Sequence, residues 1–251
     1  MKYTMRDITK SYTPEKRKKT SIWARVFSRP LSFLLTYVLI NLGFTANMVS
    51  IISIFEAILA CVFLALGGAF LPWGIVLFLL WDVLDCTDGN IARAKGTSSL
   101  VGEYMDAISG YTAPAFIYLS VGVAAYRTTQ LFPNYGYWFI VLGAVASISD
   151  ILSRIIYQKY VVTEYKLGVM QDKGNIDEER SSGLKHIADV IMKNLTYSCL
   201  FMPLLVIAYF TSLFDVLVAF YAVYSAAVLA ATFLLFIRKA LSLEKRMQNH
   251  E

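Results

Sequence analysis

The sequence predicts an all-α integral membrane protein, a six-helix bundle preceded by an amphipathic helix lying along the cytoplasmic interface. Three observations carry that prediction. Hydrophobic residues make up 57% of the 251 and charged residues only 16%, below the roughly one-quarter charged share of a soluble domain. Six apolar stretches each approach or exceed the ~20 residues that cross a hydrocarbon core. Lys and Arg also segregate: with the N-terminus inside, Arg127 is the only one of 23 on the outer side, as expected where cytoplasmic loops collect the basic residues. The net charge of +5 then suits an anionic leaflet rather than nucleic acid. Cys61, Cys86 and Cys199 lie apart in apolar segments, so they are read as packing residues, with no disulfide or metal cluster.

Along the chain, residues 1–43 read as a cytoplasmic tail and interfacial helix, 44–240 as the membrane domain and 241–251 as a cytoplasmic tail. Residues 1–20 are polar and contain the basic run Lys16-Arg17-Lys18-Lys19. From Ser21 to Asn41, Trp23, Val26, Phe27, Leu31, Leu34, Leu35 and Val38 recur at helical spacing, with Arg25 and Arg29 opposite, the pattern of a helix lying in the interface. Pro30 is expected to bend it. Gly43 ends that element and Thr45 is placed to cap the next. Six spans follow, at about 45–67, 70–93, 100–126, 136–159, 190–210 and 214–239. Residues 160–189 form the only long polar stretch, expected to be a loop with a surface helix. His186 lies there, in a polar loop, and is not expected to bind metal. Glu56, inside the first span, is placed either in a polar interior or at a dimer seam.

The chemistry concentrates in Leu80 to Arg93 and its continuation to Gly102, Asp106 and Gly110. Asp82, Asp85 and Asp88 are spaced by three along one helical face. Gly102 and Asp106 are spaced by four on the next helix, so an antiparallel pair brings Asp85, Asp88 and Asp106 together. Carboxylates so crowded in an apolar setting repel one another unless a cation joins them. Oxygen-only ligation favours a hard ion, Mg²⁺, Mn²⁺ or Ca²⁺. Gly89 and Ala92 leave room beside the carboxylates, and Arg93 offers a cationic fork suited to phosphate. Together these describe a phosphorylated substrate; a carboxylate-lined cation transporter would leave Gly89, Ala92 and Arg93 without a role.

Asp85-x2-Asp88-Gly89-x2-Ala92-Arg93-x8-Gly102-x3-Asp106 resembles the signature of the CDP-alcohol phosphotransferase family, whose pattern continues with x3 and a fourth Asp. Thr45-Ala46-Asn47 is similar to the Thr-Pro-Asn found before that family's first span. The resemblance implies transfer from a CDP-linked donor: an alcohol hydroxyl attacks the β-phosphorus, CMP leaves and a phosphodiester forms. Carried over, Asp85, Asp88 and Asp106 hold metal, one or two ions of Mg²⁺ or Mn²⁺. Asp85, Gly89, Ala92, Arg93, Gly102 and Asn47 bind the nucleotide, and the protein is a homodimer in contact with membrane lipid. In place of the fourth Asp stands Gly110, which supplies neither ligand nor base. Three readings follow: a relocated base, with Asp82 the candidate because its depth in the bilayer is close to that of Gly110; activation of the hydroxyl by metal alone; or a silent relative that binds a CDP-lipid or CDP-alcohol without turnover. In span four, Asp150 and Arg154 stand at i and i+4. They read either as an ion pair or, with Arg154 and Lys159, as an acceptor pocket.

Overall fold

The computed structural model describes residues 3–10, 12–13, 20–97, 99–129, 133–167 and 197–248, and among these every regular element is helical. We label them α1 (Met5–Lys10), α2 (Arg29–Asn41), α3 (Ala46–Leu66), α4 (Leu71–Lys95), α5 (Leu100–Thr128), α6 (Tyr137–Lys166), α7 (Met202–Thr211) and α8 (Phe214–Gln248). Five helices are long and apolar enough to cross a membrane: α3, α4, α5, α6 and α8. The crossing expected at about 190–210 is described only from residue 197, as a π-helical turn Tyr197–Phe201 leading into α7. That apolar piece, Cys199–Thr211, is too short to be a crossing by itself; residues 190–196, like His186, lie outside the described residues.

Two boundaries differ from expectation for local reasons. Helix α6 continues past residue 159 to Lys166, because residues 160–166 contain neither Gly nor Pro to stop it. Pro30 occupies the first turn of α2, where its missing N–H costs little. The irregularity falls just before it, in the π-helical turn Ala24–Ser28, closed by the Arg29 N–H on the Ala24 carbonyl.

The amphipathic stretch is oriented by its polar stripe. Ser28, Ser32 and Thr36 recur every four residues and are fully buried, while Val26, Leu31, Leu34 and Val38 are exposed. The hydroxyls face α4, which carries buried Asp82 and Asn90; the apolar stripe is left to the surroundings. At its far end Asn41 Nδ2 donates to the Tyr3 carbonyl at 3.1 Å, and Tyr3 N donates to Asn41 Oδ1 at 3.2 Å, tying the N-terminal segment to α2.

The bundle begins where Thr45 caps α3, its Oγ1 accepting from Met48 N at 3.2 Å. The turn into α4 runs through Gly67 and Gly68, both at positive φ, and α4 stops at left-handed Gly96. Ser99 Oγ then caps α5 by accepting from Gly102 N at 3.0 Å. Glycines let helices approach closely: a Cβ at Gly122 would lie 2.4 Å from the Phe139 carbonyl oxygen, and one at Gly143 2.5 Å from that of Tyr118. The core is aromatic, with Phe78, Trp81, Tyr118, Phe201 and Tyr221 in edge and stacked contacts between α4, α5, the Tyr197–Phe201 turn and α8. Since Trp81 precedes Asp85 by four residues, this core lies about one turn further into the bundle than the carboxylates.

Because the obstructing atoms at Gly122 and Gly143 are backbone, neither can give way to a side chain. Gly143→Ala should lower the melting temperature in detergent, by an amount set by an overpacking cost of about 1–3 kcal/mol. Gly110→Ala should be neutral or slightly stabilising, because a Cβ there meets nothing within 4 Å. Equal melting temperatures for Gly143→Ala and the parent would show that the α5–α6 contact is looser than described.

Candidate functional site

At the ends of α3, α4 and α5 lies a cavity of about 700 Å³. Helix α4 supplies Asp85, Asp88, Gly89, Ala92 and Arg93, α5 supplies Gly102 and Asp106, and α3 supplies Asn47. Every residue that the sequence pattern suggested for nucleotide or metal therefore faces one space. The long-range partners follow from helix capping: Thr45 and Ser99 start α3 and α5 so that Asn47 and Gly102 sit side by side. A Cβ on Gly102 would come 3.3 Å from Asn47 Oδ1.

Each carboxylate has a different setting. Asp88 is buried, and Ser50 Oγ donates to its Oδ2 at 2.6 Å. Asp106 is exposed to the cavity. Asp85 is half-buried, and no hydrogen bond reaches its carboxylate among the described residues. The donor set is all oxygen and suits a hard divalent ion. Among the described residues, however, no three acidic, His or Cys side chains converge as a ready-made metal site. The carboxylates share the cavity.

Asp82 has another environment. It does not line the cavity; its Oδ2 accepts from Trp23 Nε1 at 3.1 Å and from Ser28 Oγ, both from the segment leading into α2. Helix geometry accounts for the separation. Each three-residue step drifts about 60° around the axis, so Asp82 and Asp88 point about 120° apart. Gly110 also lies off the cavity lining, with open space where its side chain would begin.

Arg93 folds back over Gly89: a Cβ on that glycine would lie 3.0 Å from Arg93 Nη1. Its Nη2 donates to Asn90 Oδ1 at 2.7 Å. A side chain at Gly89 would therefore press on the Arg93 guanidinium, which would have to shift by a few tenths of an ångström. On α6, Arg154 Nε pairs with Asp150 Oδ2 at 2.6 Å, which is the ion-pair alternative of the sequence reading. Neither Arg154 nor Lys159 lines this cavity. Both Glu56 carboxylate oxygens are buried without a hydrogen-bond partner among the described residues.

Two residues of the cavity lining, Arg29 and Ser50, and the buried Asn90 that bonds to the cavity's arginines had no signal that sequence reasoning used. Arg29 was absorbed into the topology count, Ser50 lies one turn beyond Asn47 on α3, and Asn90 occupies an unspecified position between Gly89 and Ala92. Only Ser50 was within reach, through its helical spacing from Asn47.

The comparison with protein families matches the CDP-alcohol phosphatidyltransferase model over residues 44–229. Neither the comparison with curated proteins nor that with solved structures gives a match. The matched region spans α3 to about the first half of α8 and includes every spaced residue from Asp85 to Asp106, so the resemblance extends well beyond one short motif. On that breadth, the chain belongs to the CDP-alcohol phosphatidyltransferase family.

Proposed function

We propose that this protein transfers a substituted phosphate from a CDP-linked donor to an alcohol acceptor, releasing CMP, at the cytoplasmic face of a membrane. The observation that supports this most is that Asn47, Asp85, Asp88, Gly89, Ala92, Arg93, Gly102 and Asp106, from three helices, line one cavity. The near-absence of Lys and Arg from the other side of the bundle supports its cytoplasmic orientation.

In this reading Asp85, Asp88 and Asp106 hold a divalent cation, Mg²⁺ or Mn²⁺. When bound, such an ion supplies charge to neutralise the diphosphate and orient the reacting oxygens. Arg93 binds a donor phosphate through its fork. Ser50 holds the Asp88 carboxylate by its hydrogen bond, and Asn47 faces the donor from α3. The acceptor oxygen forms a bond to the β-phosphorus, the bond from that phosphorus to the bridging oxygen breaks so that this oxygen leaves with CMP, and the hydroxyl proton passes to water at the open cavity. Asp82 is assigned a tethering role, because its hydrogen bonds hold the amphipathic segment. The proposal includes a homodimer, which light scattering of the detergent-solubilised protein tests.

Gly110 favours a second reading, a silent relative that binds a CDP-lipid or CDP-alcohol without turnover, since a glycine there offers no carboxylate and packing does not demand one. Assaying CMP release against a panel of CDP-alcohols and acceptors separates the two. Release above background establishes the transferase, whereas tight CDP binding with no release from any pair establishes the silent binder.

Asp85→Asn should weaken magnesium-dependent CDP binding at least about 100-fold, the upper end of what losing even an outer partner of a metal site costs. Unchanged affinity in that variant, or in excess chelator, would rule out a metal-bridged site. Arg93→Lys keeps the charge and loses the fork, so CDP affinity should fall about tenfold, equivalent to about 1.4 kcal/mol. Asp82→Asn should retain whatever CMP release the parent has, and Asp82→Leu, which strands the Ser28 hydroxyl and the Trp23 N–H, should lower the melting temperature. Loss of release in a well-folded Asp82→Asn variant would move Asp82 from tether to base.

A further inference from the structure

Two guanidinium groups meet on one buried amide. Asn90 Oδ1 accepts from Arg93 Nη2 at 2.7 Å and from Arg29 Nη1 at 3.2 Å. Its Nδ2 donates to Ser32 Oγ at 3.0 Å and to Thr36 Oγ1 at 3.4 Å. The side chain is wholly buried, and its two acceptor and two donor capacities are all engaged. Nothing of Asn90 is left for a ligand, so what it does is hold others in place. Arg29 is fixed from a second side by the ring of Tyr12, 5.1 Å from its guanidinium carbon, and the Tyr12 hydroxyl donates to Thr20 Oγ1 at 2.7 Å.

Both arginines line the cavity that holds Asp85, Asp88 and Asp106. Neither is ion-paired among the described residues, and the Nε of each is buried without a hydrogen-bond partner there. Two cations side by side repel; the carboxylates that share the cavity offset this in part, and the same cavity has room for a further anion beside the two guanidinium groups. A phosphate fits because its several oxygens accept from two forks at once. Arg29 and Tyr12 precede the matched region, residues 44–229.

Resting on the transferase reading, we propose that Arg29 and Arg93 jointly bind one phosphate of the substrates, with Asn90 and Tyr12 as positioning residues. The phosphate comes from the donor's diphosphate or from a phosphorylated acceptor, and the two sources separate experimentally. CDP and CMP are titrated calorimetrically into the full-length protein in detergent with magnesium, and the KM of a phosphorylated acceptor is measured against that of its unphosphorylated alcohol. Arg29→Gln and Arg29→Lys, checked for parental melting temperature, are expected to weaken CDP about tenfold and CMP much less, which assigns the donor's β-phosphate. Unchanged CDP affinity with a tenfold rise in KM for the phosphorylated acceptor alone assigns the acceptor's phosphate. No change in either overturns the proposal.

Failure of the parent to bind CDP would defeat the transferase reading without deciding the arginine pair. Inorganic phosphate then serves as probe: it raises the melting temperature of the parent and not of Arg29→Gln if the pair binds phosphate, and an equal effect on both overturns it. For Asn90, combining Asn90→Leu with Arg29→Gln should cost less than the product of the single effects on CDP affinity, because the two act through one contact. Multiplicative losses would reduce Asn90 to a packing residue.

Discussion

The structure depends on one constraint: each polar side chain that α4 carries into an apolar bundle needs a partner, because an unmatched polar group is costly there. Asp82 is answered by Ser28 and Trp23, Asp88 by Ser50, and Asn90 by Ser32, Thr36 and two arginines. Apart from Arg93, which is on α4 itself, those partners lie on α3 and on the amphipathic segment. Satisfying α4 therefore fixes how both elements pack against it. This is why the hydroxyl stripe of α2, rather than its leucines, faces the protein. In water such an orientation would be unfavourable; beside lipid the exposed leucines cost nothing, and the buried hydroxyls are the groups that need partners.

Small residues then determine where space remains. Gly74 presses on the backbone of Leu64, and Gly122 and Gly143 bring α5 against α6, so the bundle is tightly closed at those levels. At the end where α4 stops at Gly96 and α5 starts at Ser99, the charged side chains hold the helices around an open cavity. The site is thus a gap kept open by groups that cannot pack together without a cation or an anion between them. Carboxylates from α4 and α5 and guanidiniums from α2 and α4 face the same volume, and a metal-bound diphosphate is one ligand that answers both signs of charge.

Gly110 has a different character from the other glycines. Nothing around it demands the absence of a side chain, and four residues further on Pro114 lacks the N–H that would ordinarily bond to the Gly110 carbonyl. Both the side chain and the usual helical hydrogen bond therefore differ from those of an ordinary helical residue at the position where the sequence resemblance would place a fourth carboxylate. The difference is one of chemistry, since the surrounding packing would accommodate a larger residue.

Much of the architecture was legible in the sequence because it rests on local rules. Apolar length marked five of the crossings, Thr45 announced the cap of α3, and the fixed spacing from Asp85 to Asp106 singled out residues that line one cavity, since residues three or four apart on a helix face the same way. Local rules also set the limits. Spacing by three placed Asp82 with Asp85 and Asp88, yet the accumulated drift around the helix turns it toward Trp23 and Ser28. Arg29, some sixty residues before its partners, looked like any basic residue of a cytoplasmic tail. Its place at the cavity and the inward turn of the α2 hydroxyls were decided by tertiary structure. Which buried donor meets which buried acceptor depends on helices far apart in sequence, and periodicity within one helix carries no information about its neighbour.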